Sequence, residues 1–302
     1  MPELPEVDHA RALLEEHVLS KKVSRVEVIK DDTKVIQVQG GRSPKDLPRL
    51  LEGKVLKEVK RKGKYLWLNF GKSCWVLAHF GMTGSFVVRG VQAPSYKSFK
   101  VDEETWPPRF WKVVLAFSEK KKDQKDVELA FLDARRFGKF VFSESDPEKS
   151  PPISELGPDA FLEPPSVEEL HEMLLKRKRA IKAVLLDQSF LSGIGNWVGD
   201  EILFHAKIHP EQPASSLTKE QVTRVHSEMG KVLSTACEVQ ADSSQFPSDW
   251  LFHSRWTGKK ASKVNGKAIK FITVGSRTTA FVPSVQKKTP TAAKTKKRKE
   301  RE

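Results

Sequence analysis

The N-terminus carries a residue type that can act as a nucleophile. The chain begins MPELPEV, and removal of the initiator methionine would leave Pro2 with a secondary amine that titrates at about pH 7.7 to 8.0. Attack of this amine on a sugar C1′ aldehyde equivalent gives an iminium whose fixed charge would promote elimination of the 3′ phosphate. Glu3 beside it can act as a general acid or base. On these residues alone, an ordinary proline at the start of a helix is the more common explanation.

Two glycine-containing turns carry residues that can fill a gap in a nucleic-acid duplex. HFGMTGS places Met82 between two glycines, and DARRFG places Arg135 and Phe137 before a glycine. A protein that extracts a base must fill the hole that the base leaves, and an apolar side chain, an aromatic ring and an arginine suit this role. Each signal alone is weak, because such a methionine more often belongs to a core and an arginine pair more often lies on a solvated face.

Two further segments are suited to binding phosphate. The turn at 193–196 reads GIGN between two predicted helices and presents backbone N–H groups at a helix start. Basic residues from Lys176 to Lys182 precede this turn, and Arg277 lies in a predicted strand connection, GSRTT. Neither feature is specific by itself, since helical hairpins commonly use glycine-rich turns and a polar hairpin tip would look the same.

The charge balance favours a polyanionic partner. The 302 residues carry 53 Lys and Arg against 39 Asp and Glu, a net charge of +14, and the last sixteen residues hold eight basic and two acidic side chains. The rest of the chain therefore keeps a net charge of +8, although a basic protein without such a partner would show the same balance.

Cysteine usage and hydropathy exclude several protein classes. Cys74 and Cys237 are far apart, and the sequence contains no CxxC or HExxH motif, which argues against a disulfide scaffold or a zinc site of the usual spacing. No apolar run approaches the length of about 20 residues that a membrane span needs, and the N-terminus lacks the apolar stretch of a secretory signal. We expect a soluble intracellular protein in a reducing compartment.

The apolar pattern predicts an α+β protein with two domains. Pro5 and an apolar stripe predict a helix over the first 20 residues, the stripe being Val7, Ala10, Leu14 and Val18. From residue 23 to about 142, short strands without long helices favour an N-terminal antiparallel β-sandwich or barrel, of which we take the sandwich. Six prolines between 143 and 165 indicate a linker. We therefore place the first domain at 1–143 and the linker at 144–165.

Residues 166–286 are predicted to form a helical domain that ends in a β-hairpin. Ser166 with Glu169, and Thr218 with Gln221, have the spacing of capping boxes, which mark helix starts. Further helices are predicted at 180–187 and 197–205, and strands at 268–274 and 279–282. The tail, 287–302, contains no core former, and we expect it to be disordered.

These motifs together resemble the formamidopyrimidine-DNA glycosylase/endonuclease VIII family, most closely its plant and fungal members. The resemblance runs from Pro2 to about Gln286. It rests on the order and spacing of five segments: PELPEV, RKGKYL, HFGMTGS, DARRFG and LLDQSFLSGIGN. The resemblance implies a C-terminal domain with a helix-two-turns-helix motif and a hairpin finger.

The resemblance also implies roles for individual residues. Pro2 would be the Schiff-base nucleophile, Glu3 its acid or base partner, and Lys64 a ligand of the phosphate at the damaged nucleotide. Glu6 and Glu201 would line the lesion pocket, with Asp187 and Lys182 near it. The other DNA contacts that it implies are His79, Met82, Arg135, Phe137, Lys182, Asn196 and Arg277, of which Met82, Arg135 and Phe137 would fill the void in the duplex.

The chain departs from the family pattern at two places. Where bacterial members have two CxxC pairs, the corresponding residues are Ser262, Asn265, Val282 and Val285, which is not a plausible zinc ligand set. This resembles the zincless finger of the family, and we expect no metal and no catalytic cofactor. The segment from Ala241 to Trp256 is short and lacks the glycine-rich stretch that covers 8-oxoguanine in bacterial enzymes.

The leading hypothesis is a bifunctional DNA glycosylase and AP lyase of base excision repair. It would act as a monomer on damaged double-stranded DNA and would excise oxidised purines, formamidopyrimidines better than 8-oxoguanine. The alternatives are a non-catalytic damaged-DNA-binding protein of the same fold and, less well supported, an RNA-binding module. The cluster from Lys296 to Lys299 fits a nuclear-import signal, with non-specific DNA affinity as the competing interpretation.

Overall fold

The computed structural model describes residues 2–30, 32–93, 101, 105–118, 125–256 and 262–289. The chain divides into two compact units, and neither is continuous in sequence. Unit 1 comprises Met1–Pro164, Asp187–Val198 and Gly230–Pro247, and unit 2 comprises Pro165–Leu186, Gly199–Met229 and Ser248–Glu302. The division differs from the contiguous domains predicted above, because two segments from the second half of the chain pack with the N-terminal part.

Unit 1 begins with the predicted amphipathic helix. Helix α1 spans Leu4–Val18, with Pro5 in its first turn, where a proline loses no helical hydrogen bond. Its buried face includes the predicted stripe of Val7, Ala10, Leu14 and Val18. The helix is therefore fixed to the rest of unit 1 by its apolar face.

Two β-sheets form the body of unit 1, as predicted. The first has the order β1-β7-β8-β6 and the second the order β2-β9-β5-β4-β3. One apolar cluster combines α1 with residues of both sheets, for example Phe86 and Phe131 with Val76 and Phe140, which makes the arrangement a sandwich. The strands are β1 Lys22–Val28, β2 Ile36–Val38, β3 Glu58–Lys62, β4 Tyr65–Asn69, β5 Trp75–His79, β6 Gly84–Val88, β7 Trp111–Ser118, β8 Val127–Asp133 and β9 Lys139–Ser143, with the short helix α2 at Leu47–Leu51.

One strand pair departs from the antiparallel pattern. Strand β2 pairs with β9 in parallel, with Ile36 opposite Phe140, whereas the other strand pairs among the described residues of the two sheets are antiparallel. At three residues, β2 is too short for an alternating pattern to be recognised in the sequence. The sequence analysis therefore did not predict it.

The proline-rich segment between residues 144 and 165 is packed on unit 1. It contains two short 3₁₀ turns, Pro147–Lys149 and Ile153–Glu155, followed by the buried Asp159. The Asp159 carboxylate accepts hydrogen bonds from the Arg61 guanidinium at 2.7 Å and from the Gly63 N–H at 2.7 Å. Arg61 also binds Asp8 of α1 at 3.1 Å, so this segment belongs to the framework that holds the β3–β4 turn.

The helices predicted from capping boxes begin where the sequence places them. Helix α3 spans Val167–Leu175, and the Ser166 hydroxyl accepts from the Glu169 N–H while the Glu169 carboxylate accepts from the Ser166 N–H. The same reciprocal bonds join Thr218 and Gln221 at the start of the last long helix. The remaining helices are α4 Ile181–Leu185, α5 Asn196–His205 and α6 Lys219–Glu238.

Unit 2 ends in two hairpins, of which the sequence analysis predicted the second. Strands β10 (Lys263–Val264) and β11 (Lys267–Ala268) form the first, through a two-residue turn at Asn265 and Gly266, both with positive φ. Strands β12 (Lys270–Val274) and β13 (Arg277–Phe281) form the second. Arg277 was predicted to lie in the turn, but it is the first residue of β13 and pairs with Val274.

The start of the C-terminal tail is ordered, contrary to the prediction. The Gln212 amide brackets Thr289: its oxygen accepts from the Thr289 N–H at 2.9 Å, and its nitrogen donates to the Thr289 carbonyl at 3.3 Å. Lys288 forms an ion pair with Glu211. Residues 290–302, including the basic cluster, lie outside the described residues. Among the residues described, no helix is long and apolar enough to cross a bilayer.

Candidate active site

The side-chain carboxylate of Glu3 is anchored on the first turn of α5. Glu3 is 2% exposed, and its two oxygens accept hydrogen bonds from the backbone N–H groups of Trp197 at 2.9 Å and Val198 at 3.1 Å. The first N–H groups of a helix have no partner within the helix and carry its positive dipole end, so they stabilise a negative charge. A residue at position 3 is thereby fixed to a segment almost 200 positions away.

This anchor requires the two glycines of the GIGN turn. A Cβ on Gly195 would lie 2.1 Å from the Glu3 Cδ, and one on Gly193 would lie 2.3 Å from the Leu4 Cδ1. The backbone must therefore be bare for residues 3 and 4 to approach. The sequence analysis interpreted this turn as a phosphate site, and that interpretation is wrong for the N–H groups of Trp197 and Val198, because the Glu3 carboxylate occupies them.

Glu6 forms the second acidic group beside the N-terminus. Its carboxyl accepts hydrogen bonds from the Glu3 backbone N–H at 2.9 Å and from the Trp197 indole N–H at 3.2 Å. Burial and the neighbouring charge of Glu3 raise the pKa of the Glu6 carboxyl to about 7. Near neutral pH this group can therefore both hold and release a proton.

Pro2 and Lys64 flank the same region. Pro2 is buried and directly precedes Glu3. Lys64, in the turn between β3 and β4, donates from its Nζ to the Ile194 carbonyl at 2.9 Å. Gly63 beside it is packed so closely that a Cβ would lie 2.8 Å from the Ser192 Cβ. The structure therefore brings the predicted Pro2, Glu3, Glu6 and Lys64 to one glycine-rich turn.

His79 is held as a neutral ring at the end of β5. Its Nδ1 accepts from the Gly81 N–H at 3.2 Å, and its ring lies 4.6 Å from the Tyr65 ring, centroid to centroid. Burial and the positive charge of Lys64 lower the pKa of His79 to about 4. Since Nδ1 is an acceptor in this contact, Nε2 carries the proton and can donate to an anion without a full charge.

The two turns predicted to fill the duplex are fastened to each other by the buried side chain of Asp133. Its carboxylate accepts from the Thr83 hydroxyl at 2.8 Å, from the Arg135 N–H at 3.2 Å and from the Gly138 N–H at 2.6 Å. The turns also touch directly, because a Cβ on Gly81 would lie 2.4 Å from the carbonyl carbon of Phe137. The two turns therefore form one rigid group.

The three predicted void-filling side chains differ in exposure. Phe137 is 51% exposed. Two cations lie over its ring, the Arg135 guanidinium at 5.3 Å and the Lys34 ammonium at 5.0 Å from the centroid. Met82 is half-buried and Arg135 is exposed. This arrangement offers an aromatic ring and an arginine on a rigid pair of turns.

Lys182 was predicted to bind DNA phosphate, and the structure does not support that role. Its side chain has no exposed surface and forms an ion pair with Asp200. Arg255 binds the other Asp200 oxygen at 2.5 Å, and the Ala280 N–H donates to it at 3.1 Å. A lysine in this position neutralises a buried carboxylate, because an unpaired buried charge would be very costly.

Glu201 was predicted to line the lesion pocket, and it has a different role. It is fully buried, and its oxygens accept from the N–H groups of Leu251 and Phe252, both at 2.8 Å, and contact the His205 Nε2 at 2.9 Å. Burial raises the pKa of the Glu201 carboxyl. The carboxyl thus fixes the start of the 3₁₀ turn Leu251–His253, inside the short segment between α6 and the first hairpin.

The remaining predicted residues occupy turns and element ends. Asn196 is half-buried at the start of α5, and Arg277 is exposed at the start of β13. Asp187 accepts from the Ser189 hydroxyl at 2.7 Å and from its N–H at 3.2 Å, so it closes the turn that follows α4. Of these three, Arg277 presents a cation at the surface of its unit.

The four residues at the family's zinc-ligand positions do not fit a metal. Val282 is fully buried and, with Val285 at its edge, belongs to an apolar cluster that includes Ile269 and Phe271. Asn265 is a turn residue with positive φ. Valine side chains offer no ligand atom. Strand β13 is instead held by the hydrogen bond from its Ala280 N–H to the buried Asp200 carboxylate.

Three structural residues were missed by the sequence analysis. Trp197 contacts both N-terminal carboxylates, Asp133 joins the two duplex-filling turns, and Asp159 holds the β3–β4 turn through Arg61. For Asp133 a signal existed, since an aspartate before a glycine-containing turn often accepts backbone N–H groups. The partners of Trp197 and Asp159 are more than 90 positions away in sequence, and no local pattern indicates them.

Comparison with known proteins agrees with this architecture. Three family models match successive parts of the chain: the formamidopyrimidine-DNA glycosylase N-terminal domain at residues 1–140, the H2TH domain at 156–248 and the C-terminal domain at 250–283. A formamidopyrimidine-DNA glycosylase of Arabidopsis thaliana is 48% identical over 95% of this chain and 71% of its own length. One from Ligilactobacillus salivarius is 32% identical over 95% of this chain and 99% of its own.

Solved structures with the same fold include DNA complexes. The Lactococcus lactis formamidopyrimidine-DNA glycosylase, non-covalently bound to DNA containing an AP site, superposes with a TM-score of 0.75 at 26% identity, over 95% of this chain and 100% of that one. A related enzyme in complex with DNA containing carbocyclic 8-oxoG gives a TM-score of 0.75 at 27% identity, with the same coverage. Taken with the match of all three family domains, these similarities establish that the chain belongs to the formamidopyrimidine-DNA glycosylase family.

Proposed function

We propose that this protein is a bifunctional DNA glycosylase and AP lyase of base excision repair that acts on oxidised purines. The observation that carries the proposal is the assembly of Pro2, Glu3, Glu6 and Lys64 around one glycine-rich turn. A secondary amine beside two carboxyls and a lysine is suited to form and resolve an iminium on a sugar. Family membership supports the same chemistry.

The reaction follows from the amine of Pro2 once Met1 is removed. The amine attacks C1′ of the damaged nucleotide, the base leaves with a proton, and the amine loses its own proton. The C1′–O4′ bond then breaks as O4′ takes up a proton, and the resulting open-chain iminium withdraws electrons from C2′. Loss of a C2′ proton then expels the 3′ phosphate, and a second elimination expels the 5′ phosphate. Water finally hydrolyses the iminium and releases the amine, so no cofactor takes part.

Glu3 and Glu6 divide the proton transfers between them in this proposal. The N–H groups at the start of α5 hold the Glu3 carboxylate next to the iminium, where it can accept the proton that the attacking amine loses and pass it to the sugar ring oxygen as the ring opens. Glu6, with a pKa of about 7, is suited to pass a proton to the departing base in the lesion pocket.

The remaining site residues would hold the distorted duplex. Lys64, His79, Asn196 and Arg277 would contact phosphates around the damaged nucleotide, and Met82, Arg135 and Phe137 would fill the space that the everted base leaves. The rigid coupling of the two duplex-filling turns through Asp133 supports this proposal, because a wedge must resist the collapse of the base stack. Lys182 and Glu201 are left out, since both are engaged in the interior.

We further propose that formamidopyrimidines are excised better than 8-oxoguanine. The segment 241–256 is short, and its backbone is fixed at Leu251 and Phe252 by Glu201. It contains no glycine and so offers no pliable cover for a bicyclic lesion. Single-turnover rates on duplexes that differ only in the lesion test this, and an 8-oxoguanine rate at or above the formamidopyrimidine rate would contradict it.

Borohydride trapping tests the proposed activity against a purely DNA-binding role. Wild-type protein, a Pro2→Gly variant and duplex with a formamidopyrimidine would be incubated with borohydride, which reduces an iminium to a stable adduct. We expect a covalent protein–DNA band for the wild type and a weak or absent band for Pro2→Gly, with DNA affinity within a few-fold because phosphate contacts dominate binding. Binding by the wild type without adduct or strand cleavage would favour the non-catalytic alternative.

We propose a nuclear location from the basic cluster at 296–299. A fluorescent fusion that lacks residues 290–302 should lose nuclear accumulation and keep base excision in a purified assay. Continued concentration in the nucleus would show that the cluster is not the import signal.

A further inference from the structure

Trp197 donates hydrogen bonds to the carboxyls of both Glu3 and Glu6. Its backbone N–H donates to the Glu3 Oε1 at 2.9 Å, and its indole N–H donates to the Glu6 Oε1 at 3.2 Å. The two donors are parts of one residue on the first turn of α5. A shift of Trp197 would therefore move or release both acidic groups together.

The indole ring is itself held in place. Trp197 is 3% exposed, and its ring packs against Phe246 with 5.6 Å between the centroids. Phe246 lies in the segment that follows α6. A buried indole usually needs a partner for its N–H, and here that partner is an ionisable carboxyl.

Several groups act on the Glu6 carboxyl, in opposite directions. Burial and the charge of Glu3 disfavour its charged form, while the Glu3 backbone N–H and the positive chain terminus favour it. From α6, the Cys237 thiol also faces this region and interacts with Glu6. The indole N–H adds a donor that is neutral at every pH, so it favours the carboxylate over the acid without introducing a charge.

We propose that Trp197 is a positioning residue that holds the Glu6 carboxyl in the lesion pocket and keeps it available as a proton carrier near neutral pH. The contact between Trp197 and Glu6 rests on the geometry alone. Its consequence for the reaction rests on the proposed function. Glu3 would keep its bond to the Trp197 backbone N–H whatever side chain stands at this position. The side chain at 197 therefore acts on Glu6 selectively.

The variant Trp197→Phe separates the indole donor from the rest of the residue. It keeps an aromatic ring against Phe246 and the backbone N–H to Glu3, and it removes the indole N–H that donates to Glu6, while the Glu3 N–H still donates to that carboxyl. Trp67→Phe is the matched control, because Trp67 on β4 is also buried, at 4% exposure, and none of the hydrogen bonds described for the two carboxyls involves it. Thermal melting of both variants checks that the fold is retained.

The first measurement is direct and does not depend on activity. The pKa of Glu6 is read from the ¹³C chemical shift of its side-chain carboxyl, assigned by the signal that disappears in Glu6→Gln. Loss of a hydrogen bond to the charged form should raise the pKa of Glu6 by about one unit in Trp197→Phe, and Trp67→Phe should leave it unchanged. An unchanged pKa in Trp197→Phe would overturn the proposal.

The second measurement is the pH profile of single-turnover base excision. In Trp197→Phe, the limb governed by Glu6 should move to higher pH by about one unit, and in a Glu6→Gln background the same substitution should cause no further shift. A rate that falls equally at every pH would show a merely structural role and would overturn the proposal. If the wild type excises no base, the proposed function fails instead, and the titration alone decides whether Trp197 holds Glu6.

Discussion

Gly195→Ala tests whether the active site depends on the hydrogen bonds that the start of α5 donates to the Glu3 carboxylate. The added Cβ would lie 2.1 Å from the Glu3 Cδ and 2.4 Å from its Oε2, whereas atoms in ordinary contact lie at about 3.5 Å or more. Gly195 does not have a positive φ, so alanine fits the backbone there. The substitution therefore acts only by displacing the carboxylate, by more than about 1 Å.

This displacement breaks the two hydrogen bonds to Trp197 and Val198. A hydrogen bond to a charged group contributes about 1.5 to 3 kcal/mol, so we expect a loss of about 3 kcal/mol or more in unfolding free energy. For a chain of 302 residues this corresponds to a fall in Tm of roughly 5 °C or more. Misplacing a catalytic group by about 1 Å costs on the order of 100-fold in rate, and base excision should fall by at least that factor.

Gly230→Ala is the control, since it makes the same chemical change in the middle of α6. No atom lies within 4 Å of the Cβ that would be added there, and alanine is favoured over glycine in a helix by about 1 kcal/mol. We expect an unchanged excision rate and an equal or higher Tm. The first assay is single-turnover excision of a formamidopyrimidine. The second is the affinity for a duplex that contains a non-cleavable abasic analogue, and for both variants this affinity should stay within a few-fold of the wild-type value. A Gly195→Ala protein with the excision rate and Tm of the wild type would show that the active site does not depend on the hydrogen bonds from α5 to Glu3.

Three further outcomes are expected from changes elsewhere in the chain. Burial raises the pKa of Glu6 from its ordinary value of 4.5 to about 7 in the folded protein, so folding favours the protonated form and stability should fall as pH rises from about 4.5 to 7. Glu6→Gln should remove up to about 3 kcal/mol of this fall, which urea titrations at pH 5 and 8 measure. Asp133→Ala leaves the Thr83 hydroxyl and the Gly138 N–H without their acceptor and should cost about 2 kcal/mol or more in unfolding free energy, while an unchanged urea midpoint would show that Asp133 does not join the two turns. Arg277→Ala should weaken binding and reduce the slope of log affinity against log salt by up to about 0.9, whereas an unchanged slope would place Arg277 away from the phosphates.

Local patterns in the sequence predicted most of the longer helices and strands, although β3 was missed because Val59 is the one apolar residue in it. The capping boxes at Ser166 and Thr218 marked two helix starts to the residue, because both partners of a capping box lie within one turn. The apolar stripe of α1 was equally local. The short strands β2, β10 and β11 were missed, since two or three residues carry no recognisable period.

Partners that are distant in sequence changed the interpretation of several side chains. Lys182 stands near a run of basic residues and was interpreted as a phosphate ligand, but its ammonium is matched to Asp200, eighteen positions later. The family resemblance indicated which residues matter and left open whether each acts on DNA or on the interior. Burial decides this question, because a fully buried cation with a carboxylate partner cannot also face a phosphate.

The GIGN turn and the start of α5 bind a different anion from the one that the sequence pattern indicated. Its glycines and helix start are suited to an anion, and the sequence analysis assigned them to DNA phosphate. The anion that binds Trp197 and Val198 is the Glu3 carboxylate, which arrives from the opposite end of the chain. By fixing position 3, the turn also fixes Pro2 one residue away, and it places Glu6 one helical turn further on beside the Trp197 indole. The anion-binding property of the turn is thus used to hold Glu3, and with it the adjacent Pro2.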